Sequence, residues 1–126
     1  MNRGYFLRFV AAVAVALGAH LLLGWVWSIS GGVLIGWMSL SGGWWKGAVA
    51  VGTAWATLLA YNMIVAPGPV TEMHRLVASI AGDFPPWSAP AATLAIGIVI
   101  GLSGGIFGRG ARDVFRDFRS RRTDAT

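Results

Sequence analysis

WWKGAVAVGTAWATLLAYNMIVAP, at residues 44–67, carries no charged side chain after Lys46. About 20 apolar residues, each rising ~1.5 Å along a helix, cross the ~30 Å hydrocarbon core of a bilayer. Tryptophan and lysine are residue types found at the level of the lipid headgroups, and Trp44, Trp45 and Lys46 open the tract. The tract therefore predicts a membrane-spanning helix over residues 44–65.

The composition of the whole chain agrees with a membrane protein. Of its 126 residues, 56% are hydrophobic and 12% are charged, whereas about a quarter of the residues of a soluble domain are charged. Residues 9–108 contain only four charges, those of Lys46, Glu72, Arg75 and Asp83. A long uncharged middle with polar ends is typical of a polytopic membrane protein.

The net charge of +5 does not indicate nucleic acid as a partner. Nucleic acid binding needs a basic stripe on a soluble face, whereas this chain carries its positive charge where a cytoplasmic flank would place it. The sequence contains no cysteine, which excludes disulfides, thiolate chemistry and cysteine-ligated metal.

Hydropathy and turn residues together predict four spans, at residues 5–23, 27–41, 44–65 and 88–107. The second span is short and rich in glycine, so a re-entrant hairpin is the alternative to a full crossing. The basic start of the first span also resembles a signal peptide, but its apolar run is long and offers no clean cleavage site. We therefore expect the first span to be retained.

The segment between the third and fourth predicted spans differs in kind. Residues 70–81 predict a short amphipathic helix lying in the membrane interface, after Pro67-Gly68-Pro69 ends the third span. Its apolar face at helical spacing comprises Val70, Met73, Leu76, Val77 and Ile80. Further tryptophans expected to anchor the interfaces are Trp25, Trp27 and Trp87.

The distribution of basic residues predicts the orientation. With four spans, Arg3, Arg8, Lys46 and the arginine-rich tail at residues 109–126 share one side, as the positive-inside rule requires of the cytoplasmic side. Three spans would separate the two basic ends. We therefore expect both termini in the cytoplasm, in a bacterial or archaeal inner (plasma) membrane.

Small residues recur at four-residue spacing along two of the predicted spans. Because lipid provides little hydrophobic drive between helices, small residues that permit close backbone approach favour helix association. The candidate packing residues are Gly97, Gly101 and Gly105 in the last span, and Ala48, Gly52, Ala56 and Ala60 in the third. They predict packing within the bundle, or against another copy or another subunit.

Polar side chains in the third span form a possible path for water or ions. The candidate residues are Thr53, Thr57, Tyr61 and Asn62. Hydroxyl groups in a helix can line a pore, but they can equally bond to carbonyls of their own helix. No aspartate, glutamate or lysine lies deep in a predicted span, and coupled transporters and proton relays usually need one.

Two other sets of side chains could carry a function. His20 and His74 could approach each other at the outer end, but two histidines without motif spacing are weak evidence for a metal or haem, so we expect no metal and no cofactor. The tail predicts contact with anionic lipid or a cytoplasmic partner. Its arginines are Arg109, Arg112, Arg116, Arg119, Arg121 and Arg122.

The sequence thus predicts an all-α integral membrane four-helix bundle with an interfacial helix between spans three and four. No nucleotide-binding loop, hydrolase motif or paired carboxylate indicates an enzyme. The expected function is that of an accessory or structural subunit that packs against other membrane subunits. The alternative is a homo-oligomeric channel or facilitator for a small solute or ion.

Overall fold

The computed structural model describes residues 3–123, and that range is helical almost throughout and contains no strand. The elements in chain order are α1 (Arg3–Leu23), a short 3-10 turn (Trp25–Ser28), α2 (Ile29–Met38), α3 (Gly43–Val65), α4 (Pro67–Ile80) and α5 (Ser88–Thr123).

Three helices, α1, α3 and α5, are long and apolar enough to cross a membrane. This finding indicates a membrane location with lipid against the apolar helix surfaces. Helix α2 has 10 residues, so it is about 15 Å long, roughly half the thickness of the hydrocarbon core. The predicted second span at residues 27–41 is therefore helical over a shorter stretch, since the backbone becomes extended at Ser39.

One helix boundary differs from the sequence prediction, and one helix extends beyond the span predicted within it. Helix α4 begins at Pro67 rather than at residue 70, because a proline in the first turn lacks only an N–H that would have no partner there. The predicted last span, 88–107, is the first part of one continuous 36-residue helix. No proline interrupts α5 beyond its first turn, and its helical pattern continues into the arginine-rich tail.

Helix α2 lies against all three long helices, and the most extensive contacts of α5 are with α3 and α2. Helices α1 and α2 are antiparallel. Near one end of the pair, His20 of α1 is hydrogen-bonded to Ser28, just before α2. Near the other end, Arg8 of α1 donates to the carbonyl of Met38, the last residue of α2.

Glycine forms the centre of the α2–α3–α5 contact. Ten of the 18 glycines in the chain are buried. A Cβ atom on Gly36 would collide with the backbone of Gly105, and one on Gly47 would collide with the backbones of Gly101 and Gly105. Backbone therefore packs directly on backbone here, the close approach by which helices associate in lipid.

The remaining core consists mostly of small side chains. Ile35 of α2 and Val51 of α3 are the largest apolar side chains that are fully buried. Around them lie the buried alanines Ala12, Ala16, Ala50 and Ala54. The interior of the bundle is thus close-packed, and none of the cations of the described chain is buried in it.

Cationic side chains fix the end of α2 and the loop that follows it. Arg8 Nη1 donates to the Met38 carbonyl at 3.2 Å, and Lys46 Nζ donates to the Ser41 carbonyl at 2.7 Å. Arg112 of α5 donates to the carbonyl of Ser39. Cations at a helix C-terminus interact favourably with its unpaired carbonyls and its dipole. One end of the bundle is therefore a cationic layer built from α1, α3 and α5.

Candidate functional site

The structure places the glycine ladder of the last span inside the protein. Gly101 faces Gly47 and Ala48 of α3, and Gly105 faces Gly43 and Trp44. Gly97 lies directly under the indole of Trp55. These three positions are thus occupied by contacts within the chain itself.

The ladder of small residues on α3 lies differently. Ala48 and Gly52 are half-buried, whereas Ala56 and Ala60 are exposed. The buried face of α3 is the adjacent one, formed by Gly43, Gly47, Ala50, Val51, Ala54 and Trp55. Two of the four ladder residues, Ala56 and Ala60, are therefore not covered by the packing of the described helices.

Part of this ladder forms the floor of a shallow groove between α3 and α5. We call it the α3–α5 groove, and its lining residues are Ala48, Val49, Gly52, Thr53, Ala56, Leu94 and Ile98. Leu94 and Ile98 belong to α5, so the groove has small residues on one side and larger aliphatic residues on the other. In a membrane this surface faces lipid or another transmembrane helix.

The predicted polar path is divided by the structure. Thr53 lies in the α3–α5 groove. The other three residues, Thr57, Tyr61 and Asn62, lie in a separate cleft between α1 and α3. The Thr57 hydroxyl donates to the Thr53 carbonyl at 2.8 Å, so its proton already has an acceptor within the helix.

We call this second concavity the α1–α3 cleft. It has a volume of about 480 Å³, and it is lined by Leu17, His20 and Leu21 of α1 and by Thr57, Leu58, Tyr61 and Asn62 of α3. A smaller inner pocket of about 110 Å³ shares three of these residues and reaches α5. Its lining residues are His20, Trp55, Leu58, Leu59, Asn62 and Thr93.

His20 is held in a defined position at this cleft. A hydrogen bond of 3.1 Å joins its Nδ1 to the hydroxyl of Ser28, which is fully buried. Its ring meets the indole of Trp55 edge-on, with 5.4 Å between the ring centroids. His74 lies on α4 and is not among the residues that line the cleft or the inner pocket. Within residues 3–123, no group of three or more metal-ligating side chains occurs.

The predicted interface anchors lie near the two ends of the bundle. Trp25 and Trp27 flank the α1–α2 connection, and Trp87 precedes α5. Trp44 and Trp45 open α3 at the opposite end, beside the cationic layer. All five indoles are exposed, and Lys46 Nζ lies 5.2 Å from the centre of the Tyr5 ring, within the range of a cation–π contact.

The arginines of the tail are spaced by aspartates. Arg109 and Arg112 both contact Asp113, at 3.7 and 3.0 Å, and Arg121 contacts Asp117 at 3.2 Å. Arg116 is exposed, and Arg119 also takes part in an interaction. The side chain of Arg122 and residues 124–126 lie outside the described part of the chain.

Sequence reasoning missed two residues that hold His20 in place, Trp55 and Ser28. Trp55 is one apolar residue among many in the tract at 44–65, and Ser28 lies near the start of the predicted second span at 27–41. Neither belongs to a motif, and the only signal available was the presence of a histidine on the neighbouring helix. No family model, curated protein or solved structure matches this chain.

Proposed function

We propose that the protein is an accessory or structural subunit of a larger membrane complex. The observation that supports this function is the α3–α5 groove. Its alanine and glycine positions have the spacing used for close helix contact in lipid. Ala56 is exposed there, and α5 covers Ala48 and Gly52 only in part. The occupant that fits is a transmembrane helix of another membrane polypeptide, which would place its own backbone against Ala56.

The interior of the bundle supports a structural function rather than transport through a single copy. Its centre is backbone packed on backbone at Gly36, Gly47, Gly101 and Gly105, which leaves no space for a solute path. Among the side chains that the structure describes, no acidic or lysine group lies deep in the bundle to couple transport to a proton or ion.

We further propose four crossings with both termini in the cytoplasm. Arg8 contacts Met38 and Arg112 contacts Ser39, so the start of α1, the end of α2 and the basic part of α5 share one end of the bundle. The positive-inside rule assigns a basic end to the cytoplasm, which in this proposal is that of a bacterial or archaeal cell. Here α2 crosses as a short helix extended by the 3-10 turn before it and the loop after it.

In this arrangement α4 lies in the opposite interface, with its apolar residues toward lipid. Met73, Leu76 and Ile80 are exposed in the protein, whereas Ala78 is buried against it. At the cytoplasmic end, exposed tail arginines such as Arg116 are available to anionic lipid.

The test is native mass spectrometry of the protein extracted at its native expression level in a mild detergent. We compare the wild type with Ala56→Leu, which fills the α3–α5 groove, and with Ala14→Leu, an exposed alanine on α1 outside the groove. We expect a second membrane polypeptide at fixed stoichiometry in the wild type and in Ala14→Leu, and its loss in Ala56→Leu. A monomer without partner in all three samples would contradict the proposal.

The second candidate function is a homo-oligomeric channel or facilitator. The observation that favours it is the exposure of Thr53 in the α3–α5 groove, where groove-to-groove contact between copies would bring hydroxyl groups together. A homo-oligomer without other polypeptides, together with ion or solute flux into liposomes that Ala56→Leu abolishes, would support this function.

A further inference from the structure

A buried hydrogen-bond donor lies beside the inner pocket. Trp55 is only 7% exposed, and its indole Nε1 has no hydrogen-bond partner among the described residues. An indole N–H can only donate. Buried donors in native proteins are nearly always bonded to protein, water or ligand, so an acceptor from outside the chain is expected near Trp55.

The inner pocket has room for such an acceptor. Its volume of about 110 Å³ exceeds by several times the roughly 10–15 Å³ that one water needs. Its wall includes three polar side chains from three helices, His20 of α1, Asn62 of α3 and Thr93 of α5. The pocket is therefore polar enough for a head group.

The hydrogen-bonding groups around the pocket define the chemistry of the head group. The hydroxyls of Thr57 and Thr93 donate to carbonyls of their own helices, so they are not available to donate a hydrogen bond to a ligand. The Trp55 indole N–H is buried and has no partner among the described residues, and the amide of Asn62, an exposed residue, adds a second donor on the pocket wall. Neither the pocket nor the cleft is lined by a lysine or arginine. Donors without a cation suit a neutral acceptor such as a carbonyl oxygen better than a phosphate or carboxylate.

The α1–α3 cleft provides the place for an apolar body. Leu17, Leu21 and Leu58 line it, and its volume of about 480 Å³ falls in the ~300–1,000 Å³ range of small-molecule sites. Leu21 is 70% exposed and Tyr61 is 59% exposed, so the cleft opens on the outer surface of α1 and α3. These are two helices of membrane-spanning length, and a ligand would therefore enter from the lipid.

We propose that the α1–α3 cleft and its inner pocket bind a lipid-soluble molecule with a neutral carbonyl head and an apolar body. The carbonyl accepts hydrogen bonds from Asn62 and from Trp55, while His20, fixed by Ser28, forms the side wall. Two sources have this chemistry, a quinone and the ester group of a phospholipid. Binding at this site does not depend on the partner subunit proposed above.

The experiment uses the full-length protein in detergent micelles, with ¹⁵N in the tryptophan indoles. The probes are 2-decyl-1,4-benzoquinone, dioleoyl phosphatidylcholine and, as a chain without a carbonyl, decane. The Nε1–H resonance of Trp55 is identified by its absence in Trp55→Phe. The test variant is Asn62→Leu, and the matched control is Thr53→Val, which changes a polar residue of α3 outside the cleft.

We expect one carbonyl probe to shift the Trp55 resonance downfield with saturation at one molecule per chain, and decane to leave it unchanged. Asn62→Leu should weaken this binding at least tenfold, and Thr53→Val should leave it within twofold. Saturation by the benzoquinone alone identifies a quinone-like ligand, and saturation by the phospholipid alone identifies an ester.

Two results would overturn the proposal. One is that neither carbonyl probe gives a saturable shift of the Trp55 resonance. The other is that Asn62→Leu binds as well as the wild type, while its circular dichroism and thermal unfolding show that it is folded. If Asn62→Leu does not fold, Asn62→Ala is measured in its place, and binding as tight as that of the wild type would overturn the proposal.

Discussion

Arg112 of α5 donates a hydrogen bond to the carbonyl of Ser39, 73 residues earlier in the chain, just beyond the end of α2. The Arg112 side chain is only 12% exposed. Its Nε and Nη2 both donate hydrogen bonds to the carboxylate of Asp113. The contact therefore joins the loop after the shortest helix to the longest one. It uses a charge of the tail for internal structure rather than for contact with lipid or a partner.

Arg112→Ala should destabilise the bundle by about 1–3 kcal/mol, because the carbonyl of Ser39 would lose its hydrogen-bond donor. Ser39 is only 6% exposed, so water cannot readily replace that donor. Arg116→Ala removes the same charge from an exposed position of the same helix and should change stability by less than ~0.5 kcal/mol. Thermal unfolding in detergent, followed by circular dichroism, measures both. Equal stability of the two variants would show that the contact with Ser39 contributes nothing.

Gly101→Ala should cost about 1–3 kcal/mol, because the added methyl group would collide with the Gly47 carbonyl and the Ala48 backbone. Gly110→Ala lies on the same helix with nothing within 4 Å of the new Cβ, and the better helix propensity of alanine should stabilise it by up to ~1 kcal/mol. We therefore expect the two substitutions to change the free energy of unfolding in opposite directions in the same measurement. A stable Gly101→Ala protein would contradict the backbone contact described between α3 and α5.

Ser28→Ala should destabilise the protein by about 1 kcal/mol, since it removes the hydrogen bond that fixes His20. Ser103→Ala is the control, because its exposed hydroxyl donates only to the Val99 carbonyl of its own helix. The ring resonances of His20 should move in Ser28→Ala and stay in place in Ser103→Ala. Unchanged resonances in both variants would show that Ser28 does not position the ring.

Single-cysteine variants test the proposed four crossings. The wild-type sequence contains no cysteine, so each variant carries one reactive thiol. Ser41→Cys, in the loop after α2, and Ser120→Cys, in the tail, should react with a membrane-impermeant maleimide only after the cytoplasmic face is opened. Ala81→Cys, after α4, should react in intact cells. Val26→Cys, in the turn before α2 and 55% exposed, should also react in intact cells. Reaction of Val26→Cys and Ser41→Cys from the same side would exclude four crossings.

The long helices were predictable because each has a strong signal in the sequence. The tract at 44–65 was predicted as a helix and α3 runs from Gly43 to Val65. The prediction for α1 began at residue 5, and the helix begins at Arg3. In these segments a long run without charge leaves helix as the conformation that bonds every backbone group within lipid. The end of α2 was less predictable, since it depends on Arg8 and Arg112, which lie far away in sequence.

The packing face of α3 was not predictable from spacing. Two small-residue faces run along this helix, one through Gly47, Ala50 and Ala54 and the other through Gly52 and Ala56. Both satisfy the requirement for close approach, and the sequence prediction selected the second. Helix α5 places Gly101 and Gly105 against Gly47 of the first face and only Ile98 against Gly52 of the second, a difference that residue spacing alone does not predict.

The glycine contacts also fix how far α5 can slide along α3. Gly97, Gly101 and Gly105 oppose Trp55, Gly47 and Gly43 in turn. At Gly101 and Gly105 backbone meets backbone, so no side chain there can change rotamer to absorb a shift. A displacement that placed glycine on glycine again would be one of four residues, about 6 Å. In one direction such a step would bring Thr93 under the Trp55 indole, and in the other it would bring Arg109 to the position of Gly105. We therefore expect α3 and α5 to keep a single register and to move in the membrane as one unit.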